Sequence, residues 1–170
     1  MINYKDKIHN YIINNKDEII AILKELVKIP SVRGEASPDA PFGKDCAEVL
    51  EYTERLYQKN GFETEPDKDG GYLLSYFGEG QKSLGLFAHA DVVPVEDDWI
   101  LTPPFEPIEK DGFLLGRGVL DDKSAIVISL YCAKMLKELN IPFNSRLVCF
   151  IGANEESGME DISSYVKKHN

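Results

Sequence analysis

A histidine and an aspartate two residues apart follow an apolar segment, and together they could bind a metal ion. The apolar residues 84–88 lead directly into His89, and Asp91 comes two positions later. In an extended strand alternate side chains leave the same face, so the imidazole and the carboxylate are predicted to lie side by side. A metal-ligating histidine often donates a hydrogen bond from its second ring nitrogen to a carboxylate, which fixes the tautomer of the histidine. The same pair also suits a strand-end histidine that only hydrogen-bonds to its neighbour.

Two acidic pairs later in the chain suit the same chemistry. Asp121 and Asp122 precede an apolar helix, and Glu155 and Glu156 follow an apolar strand. A carboxylate has two oxygens and can bridge two cations about 3.5–4 Å apart, as two-metal hydrolases require. Each pair also has a purely structural explanation, since aspartate commonly caps a helix and glutamates can lie at a solvated strand end. The combination, in this order along the chain, favours a metal site.

Helices and strands alternate along the chain, which predicts an α/β fold with a mixed, largely parallel sheet flanked by helices. Apolar residues at helical spacing predict helices at 5–28 (one helix or two), 44–60, about 124–139 and from 160 onward. Short apolar segments predict strands at 62–65, 72–77, 84–88 and 146–151. The continuous apolar run of 146–151 indicates a central strand, and 72–77 and 84–88 are predicted neighbours.

Charge and cysteine content exclude some classes of partner. The 170 residues include 19 basic and 29 acidic ones, a formal net charge of -10, which disfavours nucleic acid and anionic membranes. No apolar run approaches the ~20 residues of a membrane span, and residues 1–7 do not lead into the apolar core of a secretion signal. We therefore predict a cytoplasmic protein. Its cysteines, Cys46, Cys132 and Cys149, are expected to be core thiols in a reducing compartment.

Three motifs together resemble those of a family of peptidases with cocatalytic metal ions. They are HADVVP at 89–94, GRGVLDDK at 116–123 and EESG at 155–158. The family contains carboxypeptidase G, succinyl-diaminopimelate desuccinylase, aminoacylases and dipeptidases, and the motifs look most like those of bacterial PepV-like dipeptidases. The segments 26–32 (LVKIPSV) and 99–123 also resemble that subgroup, so the similarity covers nearly the whole chain.

The resemblance implies a zinc-exopeptidase-like catalytic domain with two divalent metal ions, either zinc or, alternatively, manganese or cobalt. It implies that His89 binds one metal, Asp121 bridges both and Glu156 binds the other. Glu155 would be the general base, and Asp91 would be the carboxylate that orients His89. The implied reaction is hydrolysis of a dipeptide by metal-activated water, with proton transfer to the leaving amine. An N-acyl amino acid is the alternative substrate.

Members of this family continue well past the length of this chain, with a lid or dimerisation domain and further metal ligands. We interpret residues 1–170 as the N-terminal part of the catalytic domain, with the lid and the C-terminal part absent. Each metal would then keep two of the about three protein ligands of a catalytic zinc, so the chain alone is expected to be inactive. His9 and His169 are expected to be solvated and not to replace the missing ligands.

A hypothesis of another class is a truncated, non-catalytic domain that binds metal or another chain. If part of the sheet were left uncovered, an exposed apolar patch and self-association would be expected.

Overall fold

The computed structural model describes residues 4–96 and 98–169 of the chain. Residues 1–3, part of the segment in which no secretion signal is recognised, lie outside these ranges. The helices are α1 (Tyr4–Lys28), α2 (Lys44–Lys59), α3 (Lys123–Glu138) and α4 (Glu160–His169). The strands are β1 (Glu63–Asp67), β2 (Tyr72–Phe77), β3 (Lys82–His89), β4 (Ile108–Lys110), β5 (Phe113–Leu115) and β6 (Ser145–Gly152). A short 3-10 helix, Glu155–Ser157, connects β6 to α4.

The main sheet is mixed and has the strand order β1-β2-β6-β3. β2 pairs antiparallel with β1 and with β6, whereas β3 pairs parallel with β6. The predicted α/β class is confirmed, with a smaller parallel share than expected, because the tight β1–β2 hairpin and the β2–β6 pair are antiparallel. The predicted pairing of β2 with β3 is wrong. The apolar strand β6 lies between them, and the α3 crossover supplies the long connection that its parallel pairing with β3 requires.

Helices cover both faces of the sheet. One face packs with α1, α2 and α3 in the larger core, which includes Leu26, Val49, Leu73, Leu130 and Ile151. The other face packs with α4 in a smaller core, which consists of the buried Tyr72, Leu74 and Phe150 and the partly buried Tyr76, Ile162 and Tyr165. Leu73 and Leu74 belong to different cores because successive strand side chains point to opposite faces.

Helix α3 is less completely buried than its apolar sequence predicts. Ile126, Val127 and Leu130 are buried, but Ile128 is 58% exposed and Cys132 lies on the same outer side, also exposed. Two positions four residues apart share one face of a helix, so this side of α3 points away from the sheet. Cys46 and Cys149 are buried free thiols as expected, whereas the prediction of a core position for Cys132 is wrong.

Strand β3 forms one edge of the sheet within the described residues, since it pairs there with β6 alone. Its side chains Leu84 and Phe87 are 51% and 65% exposed. This edge therefore presents both unpaired backbone groups and apolar side chains. Across the described ranges no helix is both long enough and apolar enough to cross a membrane.

The parallel pairing of β3 with β6 brings the candidate site together. His89, the last residue of β3, lies in register with Gly152, the last residue of β6. Residues that follow the two strands therefore meet at one end of the sheet, as the carboxyl ends of parallel strands do in open α/β sheets. Asp91 follows β3 there, and Glu155 and Glu156 follow β6.

Candidate metal centre

Three predicted metal ligands meet at this end of the sheet. His89, Asp121 and Glu156 each offer a ligand atom, and these atoms all lie within 4.8 Å of one another. His89 Nε2 is 3.0 Å from Asp121 Oδ1 and 3.8 Å from Oε2 of Glu155. The structure thus brings together the imidazole and the three carboxylates that the sequence singled out from distant segments.

Asp91 orients the His89 imidazole through contacts with the ring nitrogen Nδ1. Nδ1 lies 3.1 Å from the Asp91 carbonyl oxygen and 3.5 Å from Asp91 Oδ1, and the His89 side chain is only 11% exposed. With Nδ1 as the donor to these oxygens, Nε2 points to Asp121 and is the nitrogen available for a metal. Burial disfavours the charged ring, but the hydrogen bonds and charge of Asp91, together with Asp121, outweigh it and raise the His89 pKa to about 9.

Asp91 has a second role that the sequence did not predict. Its side chain is buried, and its two oxygens accept the backbone N–H groups of Glu155 and Glu156, each at 3.1 Å. Two adjacent N–H groups can reach one carboxylate only when the backbone turns. The two glutamates accordingly lie in a 3-10 helix. Asp91 therefore fixes both the imidazole and the backbone that carries the two glutamates.

Asp121 projects toward His89 and does not cap α3. The residue at the N-cap of α3 is Asp122, and its side chain makes no capping hydrogen bond. The Asp121 side chain is 75% exposed and contacts the His89 ring, so the capping explanation does not account for it. Asp122 is partly buried beside the His89 backbone N–H, 3.4 Å from Oδ2, and burial raises the pKa of its carboxyl.

The acidic groups of the cluster repel one another. Burial, followed by the charge of nearby Asp121, raises the pKa of Glu156, whereas the charge of His89 lowers it. A cation between these groups would relieve the repulsion. One imidazole with several carboxylate oxygens is a donor set that zinc, manganese and cobalt all accept, so the residues fit the metal ions that the motifs imply.

Two buried polar residues, Asn154 and Asp161, support the turn after β6, and no periodic pattern in the sequence predicts this role. Asp161 of α4 accepts the backbone N–H of Asn154 at 2.9 Å, and Asn154 Oδ1 accepts the backbone N–H of Glu160 at 3.0 Å. Both side chains are buried. A Cβ at Gly152 would collide with the Asp161 carboxylate, which explains why β6 ends in glycine.

The other two histidines lie outside the cluster. His9 is exposed on α1, and His169 is exposed at the end of α4, where its ring lies 4.6 Å from that of Tyr165 at a tilt of 32°. The expectation that both are solvated is confirmed.

Comparison with known sequences gives a consistent result. A family model described as Peptidase family M20/M25/M40 matches residues 85–169. A curated protein of Staphylococcus aureus strain USA300, named "Putative dipeptidase", is 35% identical over 167 residues, which are 96% of this chain and 34% of that protein. Its counterpart in strain NCTC 8325 matches to the same extent. The chain thus spans about a third of the length of the curated relatives it matches.

Solved structures share the fold. Human carnosine dipeptidase 1 is 24% identical with a TM-score of 0.81, and the match covers 96% of this chain and 37% of that one. The dipeptidase Dug1p of Saccharomyces cerevisiae is 22% identical with a TM-score of 0.78, covering 94% of this chain and 36% of that one. A metallo-carboxypeptidase of Sulfolobus solfataricus is 23% identical with a TM-score of 0.77, covering 89% and 34%.

Proposed function

The chain belongs to peptidase family M20/M25/M40, and we propose that its acidic cluster holds two divalent metal ions for the hydrolysis of dipeptides. The observation that carries the proposal is the meeting of the His89, Asp121 and Glu156 ligand atoms within 4.8 Å. Relatives named as dipeptidases support the choice of substrate. Because the chain spans 34% of such a relative, we propose it as the N-terminal part of a catalytic domain, with the activity belonging to the whole protein.

The roles of the ligands are assigned as the resemblance to the peptidase motifs implies. His89 would hold one metal ion, Asp121 would bridge the two, and Glu156 would hold the other. The ions, which we propose to be zinc, would polarise the scissile carbonyl and lower the pKa of the attacking water. Asp121 suits the bridge because its exposed carboxylate lies 3.0 Å from the imidazole and its ligand atom is within 4.8 Å of that of Glu156.

The position of Glu155 supports a proposed role in proton transfer. Its side chain is 43% exposed beside His89, and its backbone is fixed by the hydrogen bond to Asp91. We propose that its carboxylate takes a proton from the attacking water and gives it to the nitrogen of the leaving amine. Asp91 would keep the imidazole in the tautomer that presents Nε2.

Calorimetric titration of the chain with zinc tests the metal site. Zinc should bind to the wild-type chain, and binding should be lost in His89→Ala and Glu156→Ala but kept in the matched control His169→Ala, which removes an exposed histidine. Unchanged zinc affinity in His89→Ala would contradict the proposed site.

Hydrolysis assays test the reaction and the substrate. The protein that contains these residues should release amino acids from dipeptides in the presence of zinc, and Glu155→Gln should lose this activity while it still binds zinc. The 170-residue chain alone is expected to bind zinc without turnover. Faster release from an N-acyl amino acid than from any dipeptide would favour the deacylase alternative.

The exposed edge strand β3 favours a second candidate role, association with another chain. Leu84 and Phe87 on this edge are more than half exposed, and apolar edges of this kind promote pairing. We propose that the isolated chain self-associates through β3. Sedimentation should show oligomers that Phe87→Lys reduces, whereas a compact wild-type monomer without binding of an apolar dye would contradict this proposal.

A further inference from the structure

Two separate segments that carry candidate metal ligands are attached to the same point, the end of α1. That point is the segment 26–32 (LVKIPSV), which forms the last turn of α1 and the loop after it. The segment itself contributes no group to the acidic cluster. Its hydrogen bonds to the two ligand-bearing segments are nevertheless buried, so its position bears directly on the geometry of the cluster.

Ser31 attaches the segment that carries His89 and Asp91. Its hydroxyl donates to the Ala90 carbonyl at 2.6 Å, and its own carbonyl accepts the Val92 N–H at 3.0 Å. Ser31 is completely buried. These two bonds hold the residues on either side of Asp91, so Ser31 links the segment after β3 to the end of α1.

Lys123 attaches the segment that carries Asp121. Its ammonium group donates to the Leu26 carbonyl at 2.9 Å and to the Ile29 carbonyl at 2.7 Å, and the residue is 0% exposed. The Leu26 carbonyl lies in the last turn of α1 and the Ile29 carbonyl just after it, and they also accept the backbone N–H groups of Ile29 and Ser31. Lys123 follows Asp121 by two residues, so its anchoring restricts the start of α3 and the carboxylate before it.

The GRGVLDDK motif leaves room for this lysine. Gly118 has a φ of 83°, and a Cβ there would lie 2.9 Å from Val92 Cγ1 and 3.1 Å from Lys123 Cδ. The glycine therefore allows the buried lysine stem and the segment after β3 to pass each other closely. A buried ammonium group is unfavourable unless it is hydrogen-bonded, and an apolar side chain of similar length would fill the same space. Packing alone thus does not explain a lysine at this position.

We propose that Ser31 and Lys123 are positioning residues that fix the separation of His89 and Asp121 through their common attachment to the end of α1. This inference rests on the proposed metal site. In this arrangement Ser31 fixes the position of His89 and Lys123 fixes the position of Asp121, and neither residue touches a metal ion. Loss of either attachment loosens the ligand geometry while all ligands remain present.

Zinc titration of Ser31→Ala and Lys123→Met tests the inference on the full chain. Substituting residues that orient metal ligands typically reduces metal affinity about 10- to 100-fold, and we expect a loss of zinc affinity in this range for both variants. Tyr57→Phe is the matched control, because the buried Tyr57 hydroxyl donates to the Ile126 carbonyl at 2.8 Å, away from the cluster. The zinc affinity of Tyr57→Phe should stay within about twofold of the wild type, even if its melting temperature falls as much as those of Ser31→Ala and Lys123→Met.

The ring signals of His89 in metal-free NMR spectra provide a second readout, which does not depend on zinc. These signals, assigned by their loss in His89→Ala, should shift in Ser31→Ala and Lys123→Met and stay in place in Tyr57→Phe. If the wild-type chain binds no zinc, the proposed function fails, and the ring signals still decide the positioning role. If Lys123→Met does not fold, Ser31→Ala decides it. Folded variants with wild-type ring signals and wild-type zinc affinity would overturn the inference.

Discussion

The candidate site has a buried half and an exposed half, and the two differ in what holds them. The side chains of Asp91 and His89 are 1% and 11% exposed, and each has hydrogen-bond partners on more than one side. The carboxylates of Asp121 and Glu155 are 75% and 43% exposed and approach mainly the imidazole. The buried half therefore contributes to folding, whereas the carboxylates of the exposed half make few contacts with the rest of the fold and are accessible to solvent. Substitutions in the two halves should separate these contributions.

Asp91→Ala should have the largest effect on stability. It removes the acceptor of the Glu155 and Glu156 N–H groups, and a hydrogen bond to a charged group contributes about 1.5–3 kcal/mol. We expect the free energy of unfolding of the metal-free chain to fall by about 3 kcal/mol or more, as measured by urea denaturation. Asp91→Asn keeps one acceptor and should lose less. A loss below about 1 kcal/mol for Asp91→Ala would show that the buried half is not a structural element.

Zinc should stabilise the chain through the exposed half. A ligand at a hundredfold its dissociation constant that binds only the folded state adds about 2.7 kcal/mol to the free energy of unfolding. The melting temperature of the wild-type chain should therefore rise with zinc concentration, and Asp121→Asn should remove most of the rise. An equal rise in Asp121→Asn would place the bound zinc elsewhere.

His89→Ala should have an intermediate effect on the metal-free chain. The imidazole belongs to the buried half but donates to few groups, and hydrogen bonds of this kind contribute about 1 kcal/mol each. We expect a loss of about 1–2 kcal/mol in urea denaturation, against less than about 0.5 kcal/mol for the exposed His169→Ala. Equal losses in the two variants would contradict the assignment of His89 to the buried half.

Glu155→Gln and Asp121→Asn should have the smallest effects on the metal-free chain. Both side chains are exposed, and substitutions at such positions usually change the free energy of unfolding by less than about 0.5 kcal/mol. Urea denaturation without zinc checks this expectation. A loss of more than about 1 kcal/mol in either variant would show that the exposed half also supports the fold.

The chemistry of the site could be predicted from the sequence because the groups themselves appear in it. An imidazole and acidic pairs at strand and helix ends indicated the cluster, and the structure brings His89, Asp121 and Glu156 together. The strand order could not be predicted in the same way. The central position of β6 was expected from its apolar run, but nothing local specifies that it separates β2 from β3, since strand pairing depends on residues distant in sequence.

The residues behind the ligands were harder to recognise for a different reason. In the sequence Lys123 is an ordinary polar residue at the start of a helix, yet in the structure it is completely buried. Desolvation lowers its pKa to about 7, although the nearby Cys46 and Asp91 act to raise it. Ser31 reads as a loop residue after a proline. Both side chains donate hydrogen bonds to backbone carbonyls of other segments. Every residue has a backbone carbonyl, so the amino-acid sequence does not show which carbonyls will be used.

The parallel pairing of β3 with β6 also has a kinetic consequence. The two strands are separated by more than fifty residues, including all of α3, and pairings of this range form slowly because a long loop must close first. His89 and Glu156 come close enough to form the proposed metal site only after that closure. Zinc should therefore slow unfolding of the chain while it leaves the folding rate unchanged, since interactions that form after the rate-limiting step act on the unfolding rate alone.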